Sequence, residues 1–338
     1  MKLEDIDYEL PEELIAYYPL KERDKCKLLV YNRFLDKIEH RIFYEIIDYL
    51  NPEDVLVFNN TKVFNARLFG LKKETGAKLE ILLLKKIDNN IWEALIKPAK
   101  RVKFDTEIII DKIVAKVINI YGDGRFLISF NRVLDYKNIN KIGNVPIPPY
   151  IKREVNNKID KKFYQTVYAE KPGSVAAPTA GFHFTNKLIR KIKNKGVKIA
   201  FLTLHLSFGS FEPIKSEEIE KHKILPEYLT IDKKNVDIIN NRKGRLIAVG
   251  TSTTRALEFL ANKNGKIEEF SGEVNNFIYP GYKFKIVQGI ITNFHLPKTS
   301  LILLVSAFVG LEKLKELYKI AIENKYRFYT YGDAMLIL

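Results

Sequence analysis

The chain has 338 residues, of which 46% are hydrophobic and 12% aromatic, enough for roughly two domains of ~150 residues with cores of their own. Its 56 Lys and Arg against 41 Asp and Glu leave a net charge of +15, and the stretch 62–200 alone holds 29 of the basic and only 12 of the acidic residues. The apolar content excludes a disordered chain, and the single cysteine, Cys26, excludes a disulfide scaffold and any zinc or iron–sulfur site built on cysteine pairs.

One cysteine also fits a reducing cytoplasm. The concentrated basic excess points to a polyanionic partner, with nucleic acid ahead of a membrane surface because no amphipathic Lys-rich anchor accompanies it. A general basic bias that only solubilises is the alternative reading of the same charge.

In chain order, the first residues, MKLEDIDYELPEEL, are acidic and lack an apolar segment, so they do not form a secretory signal. Asp54–Phe58 is an apolar run ended by Asn59-Asn60-Thr61, which predicts a buried strand followed by a turn. From about Phe64 to Phe130 come short β-branched and aromatic runs: LEILLL (79–84), IWEALI (91–96), EIIID (107–111), VAKVINIY (114–121) and RFLISF (125–130). Turn signals such as Asp88-Asn89-Asn90 and Gly122-Asp123-Gly124 separate them, a pattern of hairpins that predicts a small antiparallel barrel. Asn144–Tyr150 is a stiff, Pro-rich exit.

After residue 160 helices and strands alternate. Thr185 can cap a helix over 186–195 with Gly196 beyond its end, and 197–206 follows as a strand. Asp232 caps a short helix to Asn241, and 245–250 is a strand leading to a helix over about 253–263. Lys285–Phe294 is a strand, 299–309 and 311–324 are helices, and 334–338 is a last strand. The apolar run Leu301–Leu311 is too short for the ~20 residues that span a bilayer. This order predicts an α/β fold: a mixed, largely parallel sheet flanked by helices, made of residues 1–62 plus 150–338, with the barrel of 63–149 inserted.

No GxxxxGK[ST] or GxGxxG motif occurs, which argues against a phosphate-loop NTPase or a Rossmann dehydrogenase. The chemistry-bearing residues lie instead in polar, Gly-containing turns at inferred strand ends, where open α/β sheets bind ligands. In 173–185, Thr179, His183 and Thr185 sit just before a helix whose free N–H groups attract anions, although a buried His183 would read as structure alone. In 203–213, His205 and Glu212 could form an acid–base pair, or His205 could lie passively on one strand face. In 249–258, Thr251, Ser252, Thr253 and Thr254 can cap a helix and bind a carboxylate or phosphate, with Arg255 as a clamp. His295 in 293–300 and Asp333 in the tyrosine-rich 329–333 complete the set, and no HxH or HxxxH spacing indicates a metal site.

Together these segments resemble the S-adenosylmethionine:tRNA ribosyltransferase-isomerases of queuosine biosynthesis. The resemblance runs through LPEELIAYYPL (10–20), DVLVFNNTKV (54–63), WEALIKPAKR (92–101), VPIPPYI (145–151), YQTVYA (164–169) and GSVAAPTAGFHFT (173–185). It continues through VGTSTTRALE (249–258), FIYPGY (277–282), TNFHLP (292–297), LVSAF (304–308) and YRFYTYGDAML (326–336), and so covers essentially the whole chain. It implies an enzyme that transfers and isomerises the ribosyl part of S-adenosylmethionine onto 7-aminomethyl-7-deazaguanine at the tRNA wobble position. The implied products are epoxyqueuosine-tRNA, adenine and methionine. The family fold, an α/β domain interrupted by a β-barrel, agrees with the order of elements above.

That chemistry asks for a base to take a proton beside the sulfonium, for a carboxylate-binding helix end or Arg, and for a group that orients a histidine or holds an amine. His183, His205 and His295 are the acid–base candidates, Thr179 and Thr251–Arg255 the cofactor-binding ones, and Asp333 or Glu212 the orienting group. S-adenosylmethionine is then a consumed co-substrate, with no prosthetic group and no metal. The expected partner is the anticodon stem-loop of tRNA in the cytoplasm, held by the Lys and Arg of 62–200. No membrane contact or obligate protein partner is implied, and a monomer is allowed.

The chain departs from the family pattern at three places. The usual Met-His-Ser-Glu stands as Ile224-Leu225-Pro226-Glu227, so a histidine is replaced by a leucine that cannot act as acid, base or donor. The usual His-Val-Gly-x-Gly-Thr-Phe reads His205 to Phe211 as HLSFGSF, and a Thr-Asp pair appears as Asn275-Asn276. A non-catalytic RNA-binding protein and an S-adenosylmethionine-dependent RNA methyltransferase are the alternatives; the absent glycine-rich cofactor loop counts against the second.

Overall fold

The computed structural model describes residues 1–155, 157–207, 214, 218–222 and 224–338, and their contacts divide into two compact units. One comprises Met1–Thr61, Gln165–Glu170 and Pro178–Leu338; the other comprises Lys62–Tyr164 and Lys171–Ala177.

The first unit is built on a nine-stranded sheet. It begins with β1 (Lys27–Asn32), β2 (Lys37–Ile42) and β3 (Val55–Asn59). Every residue of β3 is buried, as expected for a strand covered on both faces. The two-stranded ribbon of β4 (Thr61–Val63) and β11 (Lys171–Ser174) starts at the two points where the chain leaves this unit, at Thr61 and after Glu170.

The second unit holds β5 (Arg67–Lys72), β6 (Lys78–Lys86), β7 (Ile91–Lys97), β8 (Glu107–Ile110), β9 (Ile113–Ile120) and β10 (Arg125–Phe130). They close into an antiparallel barrel in the order β10-β7-β6-β5-β8-β9. Alternation fills it: Trp92, Ala94 and Ile96 from β7 and Phe126, Ile128 and Phe130 from β10 are buried. Gly70 permits β5 to approach β8, since a Cβ there would lie 2.7 Å from Ile108 Cγ2 and 2.8 Å from Ile109 O. Two short helices, α1 (Tyr136–Ile142) and α2 (Asn157–Phe163), follow, and Arg153 forms a buried ion pair with Asp160. This unit therefore takes in 150–164 and 171–177 as well as the barrel.

The remaining elements of the first unit are α3 (Asn186–Asn194), β12 (Lys198–His205), β13 (Glu227–Ile231), α4 (Lys233–Asn240), β14 (Leu246–Val249), α5 (Thr251–Leu260), β15 (Phe270–Val274), β16 (Gly289–Asn293), α6 (Ser300–Val309), α7 (Leu311–Glu323) and β17 (Ala334–Ile337). Thr185 caps α3 by accepting from Leu188 N, and Asp232 caps α4 by accepting from Asn235 N. Strand order is β15-β13-β12-β3-β14-β16-β17-β1-β2. The run β12-β3-β14-β16 is parallel, as is β17-β1, while the β16–β17 pair and both margins are antiparallel. The sheet is thus mixed, with its parallel part at the centre.

Alternation along β3 sends Leu56 and Phe58 to one face, where they join a core with Ile247, Val249, Ile291 and Leu336 of the sheet and Phe184, Leu188 and Ile192 at α3. Helix α5 packs against β14, β3, β12 and β16. Among the described residues no helix is long and apolar enough to cross a membrane.

Candidate active site

Parallel strands end together, and this brings four polar segments to one edge of the α/β unit: Asn59–Thr61 from the end of β3, His205 at the end of β12, Gly250 after β14 and Phe294-His295 after β16. Because β17 runs antiparallel to β16 and parallel to β1, Asn293 pairs with Ala334 and Leu28 does too, which adds Asp333 and Cys26 to the same edge. A 3₁₀ turn, Thr179–His183, packs on β16.

His183 is 4% exposed. Its Nδ1 lies 3.1 Å from Cys26 Sγ, and its Nε2 lies 3.1 Å from Asn293 Nδ2. The same Asn293 nitrogen donates to Tyr329 O at 3.1 Å, which sets the amide's orientation, since only its NH₂ can face a carbonyl. Nε2 of His183 therefore accepts, and the neutral ring carries its hydrogen on Nδ1, directed at the Cys26 sulfur. Burial, reinforced by Arg327 and Arg23, pushes His183 down to about 3. Tyr329 itself has φ +75°, a left-handed conformation unusual for an aromatic residue.

His295 is equally enclosed: Nε2 meets Thr292 Oγ1 at 2.9 Å, its N–H donates to Tyr318 Oη at 3.0 Å, and its carbonyl accepts from Tyr8 Oη. Burial alone pushes it down to about 3. His205 is only half-buried, with Nδ1 2.7 Å from Thr61 Oγ1. Asn59 stitches the two strand ends behind it, donating to Leu204 O and accepting from Leu204 N and Thr61 N. Each histidine thus has its own partners within the one edge.

Asp333 accepts from Lys27 N, Arg327 N and Arg327 Nη2, contacts that close the 327–333 loop onto β1; among the described residues no histidine bonds to it. Glu212 lies outside the described residues.

At α5 the expected hydroxyl cap is absent. The N-cap is Gly250 at φ +99°, and no side chain caps the helix. Thr253 and Thr254 instead donate back to Val249 O and Gly250 O, four residues earlier, because both hydroxyls are buried against the helix. Thr251 is buried, while Thr179 and Ser252 are half-buried. The helix start faces the 3₁₀ turn: a Cβ on Gly250 would lie 3.7 Å from Ala180 Cβ.

Arg255 does not stand open as a two-nitrogen clamp either. Its Nη2 is bonded to Glu227, whose other oxygen accepts from Ser207 N at 2.9 Å, while Nη1 is buried with no partner among the described residues. Asn276 donates to Arg255 O. Glu227, Asn293, Asn59 and Cys26 are the parts that reasoning from the sequence did not place in the site. Glu227 and Asn293 both lie in quoted motif runs, whereas nothing local marked Cys26. Leu225, at the position of the family's histidine, is 43% exposed. Among the described residues no group of three or more His, Cys, Asp or Glu could hold a metal ion.

A family profile described as "Queuosine biosynthesis protein" matches residues 3–337. The chain belongs to that family. A protein of Sulfurihydrogenibium sp. is 50% identical over 341 residues and one of Thermoanaerobacter sp. 47% over 344, each comparison covering 100% of both chains. Both are named S-adenosylmethionine:tRNA ribosyltransferase-isomerase. The crystal structure of the S-adenosylmethionine tRNA ribosyltransferase from Thermotoga maritima is similar at TM-score 0.57 and 37% identity, covering 99% of this chain and 100% of that one.

Proposed function

We propose that this queuosine biosynthesis protein transfers and isomerises the ribosyl moiety of S-adenosylmethionine onto 7-aminomethyl-7-deazaguanine at the tRNA wobble position, releasing adenine and methionine. The observation that carries the reading is membership of the family over residues 3–337, with relatives at 46–50% identity named S-adenosylmethionine:tRNA ribosyltransferase-isomerase. S-adenosylmethionine is consumed as a co-substrate, and no prosthetic group takes part. Catalysis belongs to the discontinuous α/β unit, Met1–Thr61 with Gln165–Glu170 and Pro178–Leu338, acting as a cytoplasmic enzyme with no obligate protein partner.

The sulfonium acidifies the C5′ protons, so the first step needs a base. His205 supports that role best among the three histidines, being the least enclosed and held at Nδ1 by Thr61. His183 and His295, neutral and boxed in, shape the site around it. The methionine carboxylate suits Arg255 Nη1, a buried donor with no partner among the described residues, together with the start of α5, which no side chain of those residues caps, and Thr179, Thr251 and Ser252 nearby.

The test is to incubate the protein with S-adenosylmethionine and tRNA carrying the aminomethyl-deazaguanine and to identify the small products. Adenine plus methionine is expected. S-adenosylhomocysteine would mean a methyltransferase, and no product a non-catalytic RNA-binding protein. His183→Ala, His205→Ala and His295→Ala with undiminished adenine release would remove all three from the reaction.

A further inference from the structure

From Lys171 to Phe211 the sequence has seven Lys and Arg and not one Asp or Glu. The structure accounts for two of them: Lys198 pairs with Glu53, and Lys195 donates to Ile47 O. Four others, Lys187, Arg190, Lys191 and Lys193, lie exposed on α3, and among the described residues none of them has an ion-pair partner. At the helix start, Asp24 accepts from the Thr185 hydroxyl.

Other elements of the same unit are answered differently. On α7, Lys313 pairs with Asp36 and Glu316, Lys315 with Glu312 and Lys319 with Glu323. On β2, Lys37 and Arg41 both meet Glu39. The uncompensated cationic face of α3 therefore contrasts with α7 and β2, whose cations have carboxylate partners. The face is also held firmly, since Leu188 and Ile192 on its other side are buried in the core.

Its place in the chain matters as much as its charge. Helix α3 begins three residues after His183, and Lys187 and Lys191 are one turn apart, a rise of about 6 Å. A base can react in an enclosed site only after leaving its stack, which puts the phosphates flanking that nucleotide at the rim of the site.

We infer that the outer face of α3, through Lys187, Arg190 and Lys191, holds the backbone phosphates beside the nucleotide being modified. The inference rests on the function proposed above and names the part of the surface that meets the RNA. The partner is a single-stranded loop, because only there can the flanking phosphates follow a splayed base into the edge of the sheet.

Two variants of the full-length protein test it: Lys187→Glu/Lys191→Glu, and Lys315→Glu/Lys319→Glu on α7 as a charge-matched control. The readouts are tRNA affinity as a function of salt, S-adenosylmethionine affinity, and adenine release at saturating tRNA. Each single-strand phosphate contact contributes about 0.7 to the log–log salt slope, or about fivefold in affinity at 0.1 M salt. The α3 variant should therefore bind tRNA about 25-fold more weakly, with a slope lower by about 1.4, and should keep wild-type S-adenosylmethionine affinity and saturated rate. The α7 variant should bind tRNA like the wild type. Unchanged tRNA affinity and slope in the α3 variant, or an equal loss in the α7 variant, would overturn the inference. Absence of adenine release by the wild type would instead count against the proposed function, and the binding comparison would still decide the role of α3.

Discussion

Two imidazoles enclosed in the α/β unit make its stability depend on pH. His183 and His295 are each 4% exposed, and burial pushes both down to about 3 from 6.5. In the unfolded chain both take up protons as the pH falls through about 6.5. Between pH 6.5 and 3 the unfolded state therefore binds protons that the folded state does not, so the stabilisation is complete above this window and is lost as the pH falls through it. Each group contributes about 1.4 kcal/mol per pH unit there, so going from pH 7.5 to 5 removes about 2 kcal/mol per histidine and about 4 for the pair. That is a large share of the ~5–15 kcal/mol typical of folded proteins. The assay is urea unfolding followed by far-UV circular dichroism, to which α3–α7 of this unit contribute most of the helix. All five histidines lie in the α/β unit, so the fluorescence of Trp92 in the barrel offers a reference without imidazole titration of its own. His295→Gln should halve the pH effect. A helical transition with the same midpoint at pH 7.5 and 5 would refute the reasoning.

Two further outcomes follow from the packing. Glu227→Ala leaves the Arg255 guanidinium buried without its carboxylate and the Ser207 N–H without an acceptor, which should cost about 3–5 kcal/mol in chemical denaturation. Glu227→Gln should cost less by keeping an acceptor for Ser207, and wild-type stability in Glu227→Ala would show the pair to be dispensable. A Cβ at Gly181 would lie 1.9 Å from Tyr168 Oη and 2.8 Å from Thr166 Cγ2, so Gly181→Ala should lose about 1–3 kcal/mol and displace the turn that carries His183. Adding Tyr168→Phe should recover part of that loss, and strictly additive effects of the two changes would contradict the contact.

Much of the fold could be read from local pattern because its signals are local. The run VLVFN of β3, the caps Thr185 and Asp232, and the hairpin strands β6–β10 are each recognisable within about ten residues. The strands that reading did not assign, β1, β2, β4, β5, β11, β13 and β15, depend on partners elsewhere: KIEHRI and FSGEV sit on sheet margins with one face in water, and β13 opens on the buried Glu227. Strand β16 is shorter than expected, starting at Gly289, and α5 starts two residues earlier, at Thr251.

The turns holding His183, His205 and His295 were legible because polar residues at strand ends stand out. Their partners were not, since Cys26 meets His183 across 157 positions and Asn293 meets it across 110. A hydroxyl at a helix start reads as a cap, and only the structure shows Thr253 and Thr254 turning back into the helix.

The placing of β17 has a consequence for how the protein is made. This strand, Ala334–Ile337, lies between β16 and β1 and supplies the parallel partner of a segment translated about 300 residues before it. Central β3 likewise waits for β12 and β14. During synthesis the barrel can close from neighbouring hairpins, while two apolar strands from the first sixty residues stay without their parallel neighbours. Until then their edges stay unpaired, and a product stopped just short of residue 334 would leave β1 and β16 as open edges that can pair with other chains.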